Sequence, residues 1–180
     1  MNALTAMLLM AANIVSPADA TMTPVLPEAE PSAAPAPLQG VGRVTASSTL
    51  TEKGRPASFY APERAVDGKL STCWCKGTRG DGKGEWLQID FAKPTRIKGL
   101  RVYPGCGSSQ TIYGNNNRIS KLTVETGSRS SFTLPDERRL HDLEVRTPSP
   151  VTSVRFTIEA VYPGKKFDDT CIGEVLIDAE

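Results

Sequence analysis

From Val41 onward the chain consists mostly of short segments in which apolar and polar residues alternate. A period of two residues is typical of β-strands that bury one face. In residues 86–91, for example, Leu87, Ile89 and Phe91 would share one face. No segment in this region has a sustained helical period. The alternation predicts strands at residues 43–48, 86–91, 97–103, 121–125, 131–134, 141–145, 154–160 and 172–178.

Many short strands separated by Gly, Pro, Asn and Asp predict an all-β fold, either a sandwich or a barrel. In a sandwich, functional residues often lie on the loops at one end, where the rigid sheets hold them. Three loops are candidates here: residues 76–85, 104–118 and 162–170. Each has a cysteine beside or inside it, so cross-links would preorganise a binding surface.

The first forty residues differ from the rest in composition. Residues 1–20 are mostly apolar and end in Ala-Asp-Ala, which predicts a secretory signal peptide, although no Lys or Arg precedes the apolar run. A buried first helix is the alternative. Residues 21–40, rich in Pro and Ala, predict an exposed linker, and residues 41–180 the folded domain. Since no later segment could serve as a transmembrane anchor, we expect a secreted or periplasmic protein.

The cysteines support an oxidising compartment. Four cysteines in an exported chain predict two disulfides. Because a direct bond between Cys73 and Cys75 would be strained, each should pair with Cys106 or Cys171, and the sequence leaves both arrangements open. A zinc site of four thiolates is the alternative, but the spacing matches structural zinc motifs poorly.

Charge and histidine content argue against several function classes. The chain has 21 Lys and Arg against 20 Asp and Glu, whereas non-specific nucleic-acid binding requires a strong basic excess. Its single histidine, His141, is expected at the surface of a strand and leaves no basis for a His-based triad. Glu85 with Asp168 or Asp169 could support glycoside hydrolysis, but nothing distinguishes an acid from a base. We therefore expect no enzyme, with a small glycoside hydrolase as the least favoured reading.

Aromatic, amide and charged residues together are typical of sugar-binding sites. A ring packs on the apolar face of a sugar, while amides and charged groups bond its hydroxyls. Asn-rich loops can also be simple turns. The candidate ligand-binding residues are Tyr103, Tyr113, Asn116, Asn117, Arg118, Tyr162, Lys165, Asp168 and Asp169.

A second candidate site involves oxygen ligands. Asp67 in an Asp-Gly turn, followed by Thr72, could place oxygens around a hard cation such as calcium. Glu174 shares a predicted strand face with Ile172 and Leu176, where an acidic group needs a partner. A cation bound by Asp67, Thr72 and Glu174 would supply that partner. The alternatives are that Glu174 faces solvent or pairs with an arginine.

Several motifs resemble a known family. Ala-x-Asp-Gly at 65–68, Thr-x-Trp at 72–74 and the run at 84–91 resemble the discoidin, or F5/8 type C, group of galactose-binding-like β-sandwiches. More closely, Asn-Asn-Arg-Ile at 116–119 and the run at 161–174 resemble the glycan-binding domain found at the front of streptococcal NAD glycohydrolases. The resemblance covers about Val41 to Ile177.

This resemblance implies a jelly-roll sandwich that binds a glycan or glycoconjugate without catalysis. Related sandwiches also bind proteins or phospholipid head groups, which gives a second hypothesis, an interaction module. Because the chain ends at Glu180, directly after the predicted sandwich, we expect no NAD-hydrolysing activity. The resemblance also implies one structural calcium ion, with the side chains of Asp67, Thr72 and Glu174 and carbonyls near Arg64, Lys69 and Gly173 as ligands.

Overall fold

The computed structural model describes residues 37–180, so the predicted signal peptide and most of the predicted linker lie outside the described residues. The regular secondary structure of the described part is almost entirely strands, as the alternation predicts. The strands are β1 (Val41–Ala46), β2 (Trp74–Cys75), β3 (Trp86–Thr95), β4 (Ile97–Tyr103), β5 (Arg118–Glu125), β6 (Arg129–Thr133), β7 (His141–Leu143), β8 (Val151–Tyr162), β9 (Cys171–Ile172) and β10 (Glu174–Ala179).

These strands form antiparallel sheets. The larger has five strands in the order β1-β3-β8-β5-β6, and the second has three in the order β10-β4-β7. The short strands β2 and β9 pair separately, with Trp74 opposite Ile172 and Cys75 opposite Cys171. The prediction of an all-β fold is confirmed.

Both main sheets contribute to one core. The side chains of Leu87, Val154 and Phe156 from the larger sheet belong to the same buried cluster as Leu100 and Val175 from the smaller. Alternate residues of each strand supply this apolar face. Trp74 is also fully buried in this cluster, and its indole Nε1 donates to the carbonyl of Ser48 at 3.0 Å. The segment carrying Trp74 is thereby fixed to the sandwich.

Two local expectations are wrong. A short α-helix, α1 (Gln110–Asn115), lies in the predicted 104–118 loop, where the side chain of Ser109 caps it by accepting from Ile112 N at 3.1 Å. Its six residues are too few to produce a visible period. His141 is buried, not at the surface, because it shares the inward face of β7 with Leu143, and its Nε2 lies 3.1 Å from the Glu137 carbonyl oxygen.

No helix within residues 37–180 is long and apolar enough to cross a membrane. A 3₁₀ helix at Pro62–Ala65 leads into the Asp67 turn.

Candidate functional site

All four cysteines are in disulfides, Cys73 with Cys106 and Cys75 with Cys171. The pairing follows from the strands: β2 places Cys75 directly opposite Cys171 on β9, which leaves Cys73 for Cys106. The sequence left this choice open. Since the sulfurs are bonded to one another, the alternative of a four-thiolate zinc site is wrong. The bonds tie loops 104–117 and 163–170 to the short β2 strand.

Asn117 fastens the 163–170 loop to the start of β5. Its Oδ1 accepts from Gly164 N at 2.8 Å, and its Nδ2 donates to the Asp168 carbonyl at 3.0 Å and to Thr170 Oγ1 at 3.2 Å. The side chain is buried, with 4% of the residue exposed. Since both ends of the amide are bonded within the protein, Asn117 supports the loop.

Arg118 is also engaged within the protein. Its Nε and Nη2 form a two-pronged contact with the Asp136 carboxylate at 3.0 and 2.6 Å, and its Nη1 donates to the Pro163 carbonyl at 2.7 Å. The hydrogen bond to Asp136 and the carboxylate charge raise the pKa of Arg118. The geometry of Asn117 and Arg118 therefore holds two loops in a fixed relation. A direct ligand contact by either residue stays a prediction.

The rings of Tyr103 and Tyr113 lie inside the protein, with 2% and 4% exposed. They pack edge to face, with ring centroids 5.9 Å apart, and the Tyr113 hydroxyl donates to the Glu137 carbonyl at 2.9 Å. Burial raises the pKa of both tyrosines. Both rings therefore pack within the protein, and a direct contact of either ring with a sugar stays a prediction.

A cleft of about 360 Å³ lies where residues 50–60, α1 and the 163–170 loop meet. We call it the loop cleft. Its apolar wall includes Phe167, which is 52% exposed, and Ile112, which is 38% exposed. Cysteines of both disulfides also line the cleft. The loop cleft is defined by Leu50, Thr51, Glu52, Arg55, Tyr60, Cys75, Cys106, Ile112, Asn116, Phe167, Asp169 and Cys171.

Phe167 is held in place by the backbone. Its amide donates to the Asn115 carbonyl at 2.9 Å, and the amide of Lys166 donates to the same carbonyl at 3.1 Å. A Cβ at Gly164 would collide with that carbonyl and with the Phe167 carbonyl, so the tight turn requires glycine. Phe167 thus presents its ring from a constrained loop.

The polar side of the loop cleft carries two carboxylates, Glu52 and Asp169. Tyr60 donates to Glu52 Oε2 at 3.3 Å, and burial together with the Glu52 charge raises the pKa of Tyr60. Burial also raises the pKa of Asp169, an effect that the nearby Lys76 ammonium opposes. Lys76 itself is buried beneath the 76–85 loop, where its Nζ donates to the Thr78 carbonyl at 2.6 Å. The cleft therefore combines aromatic surface with hydrogen-bond acceptors.

Of the nine predicted ligand residues, Asn116 and Asp169 line the loop cleft. The hydroxyl of Tyr162 donates to the Leu134 carbonyl at 3.0 Å, and Asp168 Oδ2 accepts from Gly80 N at 2.8 Å. Lys165 is exposed beside the cleft, and its amide donates to the Gly114 carbonyl at 3.1 Å. The structure does not bring these three side chains into the cleft wall.

The carboxylate suggested for hydrolysis lies elsewhere. Glu85 Oε2 accepts from the Ser47 hydroxyl at 2.6 Å and also from that of Ser48. Glu85 is not a lining residue of the loop cleft, unlike Asp169. The pairing of Glu85 with Asp169 as acid and base has no support in this geometry.

The three predicted metal ligands do come together. The Thr72 hydroxyl donates to Asp67 Oδ1 at 2.8 Å, and one backbone amide, that of Lys69, lies 3.1 Å from both Asp67 Oδ1 and Glu174 Oε2. The tight turn uses Gly68 at φ 77°. Lys69 itself points to solvent. Two carboxylates and a hydroxyl thus converge at the start of β10.

Glu174 is fully buried, which excludes the solvent-facing alternative. No hydrogen bond from the described residues reaches its Oε1. Burial raises the pKa of Glu174 to about 7; amides of Gly68 and Lys69 oppose the effect and the Asp67 charge adds to it. An unpartnered buried carboxylate oxygen beside a second carboxylate fits a hard cation with oxygen ligands. The side chains of Asp67, Thr72 and Glu174 and the Lys69 carbonyl are the groups that would hold calcium here.

Sequence reasoning missed most of the loop cleft. Glu52, Arg55 and Tyr60 lie in residues 47–62, a segment outside the three candidate loops. The sequence feature that could have indicated this segment is the aromatic pair Phe59–Tyr60, which lies in a stretch with glycine, proline and charged residues. Their rings pack edge to face at 4.8 Å, and Arg55 lies over Phe59 at 4.4 Å from the ring centroid.

Comparisons with known proteins place this geometry in a family. A family model described as the NAD glycohydrolase translocation F5/8 type C domain matches residues 37–178. The chain is also similar to an alpha-(1->3)-arabinofuranosyltransferase of Mycobacterium tuberculosis (strain ATCC 25618 / H37Rv), with 32% identity over 127 residues, 68% of this chain and 9% of that protein. The chain therefore spans less than a tenth of the length of this relative.

Solved structures show the same fold. A cryo-EM structure of the mycobacterial arabinofuranosyltransferase AftD matches with a TM-score of 0.61 and 20% identity, over 78% of this chain and 11% of that chain. The family 32 carbohydrate-binding module of NanJ from C. perfringens, in complex with galactose, matches with a TM-score of 0.56 and 20% identity, over 77% and 93% of the two chains. The fold is thus the galactose-binding-like jelly-roll sandwich that the sequence predicts. Because the family model covers most of the chain, the protein belongs to the NAD glycohydrolase translocation F5/8 type C domain family.

Proposed function

We propose that this domain binds carbohydrate at the loop cleft and does not hydrolyse it. The fold is that of carbohydrate-binding modules, and the solved neighbour from C. perfringens holds galactose. The observation that carries the proposal is the composition of the cleft: Tyr60 and Phe167 line the same depression as Glu52, Asn116 and Asp169. Rings that can pack against a sugar face next to acceptors for its hydroxyls are the chemistry that sugar recognition requires.

The larger concavity on the other sheet supports this choice by contrast. It measures about 910 Å³ and lies on the outer face of β10, β4 and β7. Its lining within residues 37–180 includes Lys98, Arg101, Asp142 and Glu144 but no aromatic ring. This concavity offers a sugar charged groups but no aromatic ring to pack against, so the smaller loop cleft is the better candidate.

The test is a glycan array followed by calorimetry with the best glycan. If Phe167 packs about 50 Å² of ring surface on the sugar, Phe167→Ala should weaken binding about tenfold. The matched control is Lys166→Ala, which removes an exposed side chain from the same loop but outside the cleft lining. Equal affinity for Phe167→Ala and the control would overturn the assignment of the cleft.

The non-catalytic part of the proposal has its own test. Glu52 and Asp169 are carboxylates in one cleft, so hydrolysis must be measured directly. We expect no release of reducing ends from the bound glycan over a long incubation. Hydrolysis that disappears in Asp169→Asn would show instead that the cleft is an active site.

A protein partner is the second candidate, because three large apolar residues are exposed and two of them, Ile112 and Phe167, line the loop cleft. Phe59, Ile112 and Phe167 are 37%, 38% and 52% exposed. Exposed apolar groups of this size often mark interaction surfaces. This reading gains support if the glycan array is silent while a single protein is captured through Phe167, and binding to phosphatidylserine vesicles would point to the phospholipid version.

We further propose that the Asp67 turn holds one structural calcium ion. The unpartnered Glu174 Oε1 supports it, since a divalent cation would bond that oxygen and balance two carboxylates. The ion would fix the turn to β10 and would take no part in sugar contact. Export to the periplasm or medium is the matching proposal for location, supported by two disulfides that persist in oxidising compartments.

A further inference from the structure

Negatively charged side chains outnumber positively charged ones in the lining of the loop cleft. Among residues 37–180, the lining carboxylates are Glu52 and Asp169, and the one cationic lining residue is Arg55. Arg55 is already engaged, because its Nε lies 3.6 Å from Glu52 Oε2 and its guanidinium lies over the Phe59 ring. The charge of Glu52 is therefore balanced within the protein.

Asp169 is the carboxylate that remains for a ligand. The backbone of Asp169 is fixed, since its carbonyl accepts from Asn117 N at 3.0 Å. No hydrogen bond within residues 37–180 reaches its carboxylate oxygens, whereas the neighbouring Asp168 is held by Gly80 N at 2.8 Å. The carboxylate oxygens of the half-buried Asp169 are thus available to accept hydrogen bonds from a ligand.

Lys76 is near enough to oppose the rise in the pKa of Asp169, but it does not line the cleft. It is 1% exposed, its Nζ is bound to the Thr78 carbonyl, and it is absent from the cleft lining. Its charge favours the ionised form of Asp169 without offering a ligand a cation to bind. The ligand therefore meets the carboxylate side of this pair.

From this arrangement we infer that the loop cleft discriminates sugars by charge: it excludes uronic, sulfated and phosphorylated units and binds an amino sugar more tightly than its neutral counterpart. The inference rests on the proposed glycan function and names the sugar class. A protonated amine would form a charge-assisted hydrogen bond with Asp169, stronger than one from a hydroxyl. An anionic substituent would face the Asp169 carboxylate, while Arg55, the cationic residue of the described lining, already contacts Glu52.

The test uses six methyl β-glycosides: the neutral, 2-amino and uronic forms of galactose and of glucose. Binding to the full chain is measured by NMR titration at pH 7 and low salt, with the calcium concentration held constant. In the configuration that binds better, we expect the amino form to bind about tenfold tighter than the neutral form and the uronic form at least tenfold weaker. Because the contacts are electrostatic, 0.5 M salt should reduce both differences.

Two variants assign the effect to one side chain. Asp169→Asn should bring the amino and neutral forms to within about twofold of each other. Asp168→Asn, which changes the adjacent charge outside the cleft lining, should keep most of the wild-type ranking. Circular dichroism and melting temperature check that both variants are folded.

The possible failures are distinct. If the neutral glycosides bind in the loop cleft but the uronic and amino forms bind equally well, the charge inference is overturned and the glycan function stands. The same holds if the wild-type ranking survives in Asp169→Asn. If none of the six glycosides shifts a cleft resonance at millimolar concentration, both the inference and the cleft assignment are overturned.

Discussion

Removal of the Cys75–Cys171 disulfide is expected to cost both stability and sugar affinity. The bond joins residues 96 apart, and the chain-entropy relation gives about 4.7 kcal/mol for a loop of that length. The Cys73–Cys106 bond joins residues 33 apart, for which the same relation gives about 3.7 kcal/mol. Losses of this size are a large part of a domain's total stability.

The assay is urea unfolding of the double variant Cys75→Ala/Cys171→Ala, with Cys73→Ala/Cys106→Ala as the matched control. Alanine avoids placing a hydroxyl in these buried positions. We expect the first variant to lose more free energy of unfolding than the second, and the 163–170 loop to loosen, so that sugar binding weakens further. A loss below about 1 kcal/mol, or the reverse ranking, would refute the claim that these bonds constrain the chain as the structure shows.

Three further outcomes are expected. EDTA should lower the melting temperature of the wild-type protein, and added calcium should restore it. Asp67→Ala should lower the melting temperature and make it insensitive to EDTA and calcium. A wild-type melting temperature unchanged by EDTA would contradict the calcium proposal. Burial raises the pKa of Asp169 above its ordinary 3.8. As the pH is lowered, sugar affinity measured by calorimetry should therefore begin to fall at a higher pH than it would if this aspartate were exposed. An unchanged pH profile in Asp169→Asn would contradict this. Asn117→Ala should lower the free energy of unfolding in urea by about 2–4 kcal/mol, because it breaks three hydrogen bonds and leaves Gly164 N unpaired. Asn116→Ala breaks one bond, to the Ile112 carbonyl, and should lower it less. Equal losses would contradict the role given to Asn117.

The fold could be predicted because the period-two pattern is a direct consequence of burying one face of a strand. Segments such as 86–91 and 154–160 carry that pattern over enough residues to be visible, and the structure extends them to Trp86–Thr95 and Val151–Tyr162. The β2–β9 pair could not be found this way, since each strand has two residues. Yet this short pair decides which cysteines bond.

The metal candidate was also accessible from sequence, because an acidic residue on an apolar strand face needs a partner. Glu174 is such a residue, and the structure buries it beside Asp67 and Thr72. What the sequence could not show is that one oxygen of Glu174 receives no hydrogen bond from any residue in the described range 37–180. Chain geometry, not residue type, determines that.

The sugar site was harder to predict because residue type does not fix the direction of a side chain. Tyr113 and Asn117 have the chemistry of ligand contacts, but the fold turns both inward, where they hold loops together. Tyr60 and Phe167 come from segments more than a hundred positions apart and meet only after the loops are bonded. Such a cleft is a product of tertiary structure.

The most direct test of the central claim is NMR chemical-shift mapping with a glycan selected on the array. The account predicts that amide resonances of Tyr60, Asn116, Phe167 and Asp169 shift together and saturate with one dissociation constant, while those of β4 and β7 remain in place. Shifts confined to the outer face of β10, β4 and β7, with the loop cleft unchanged, would contradict it.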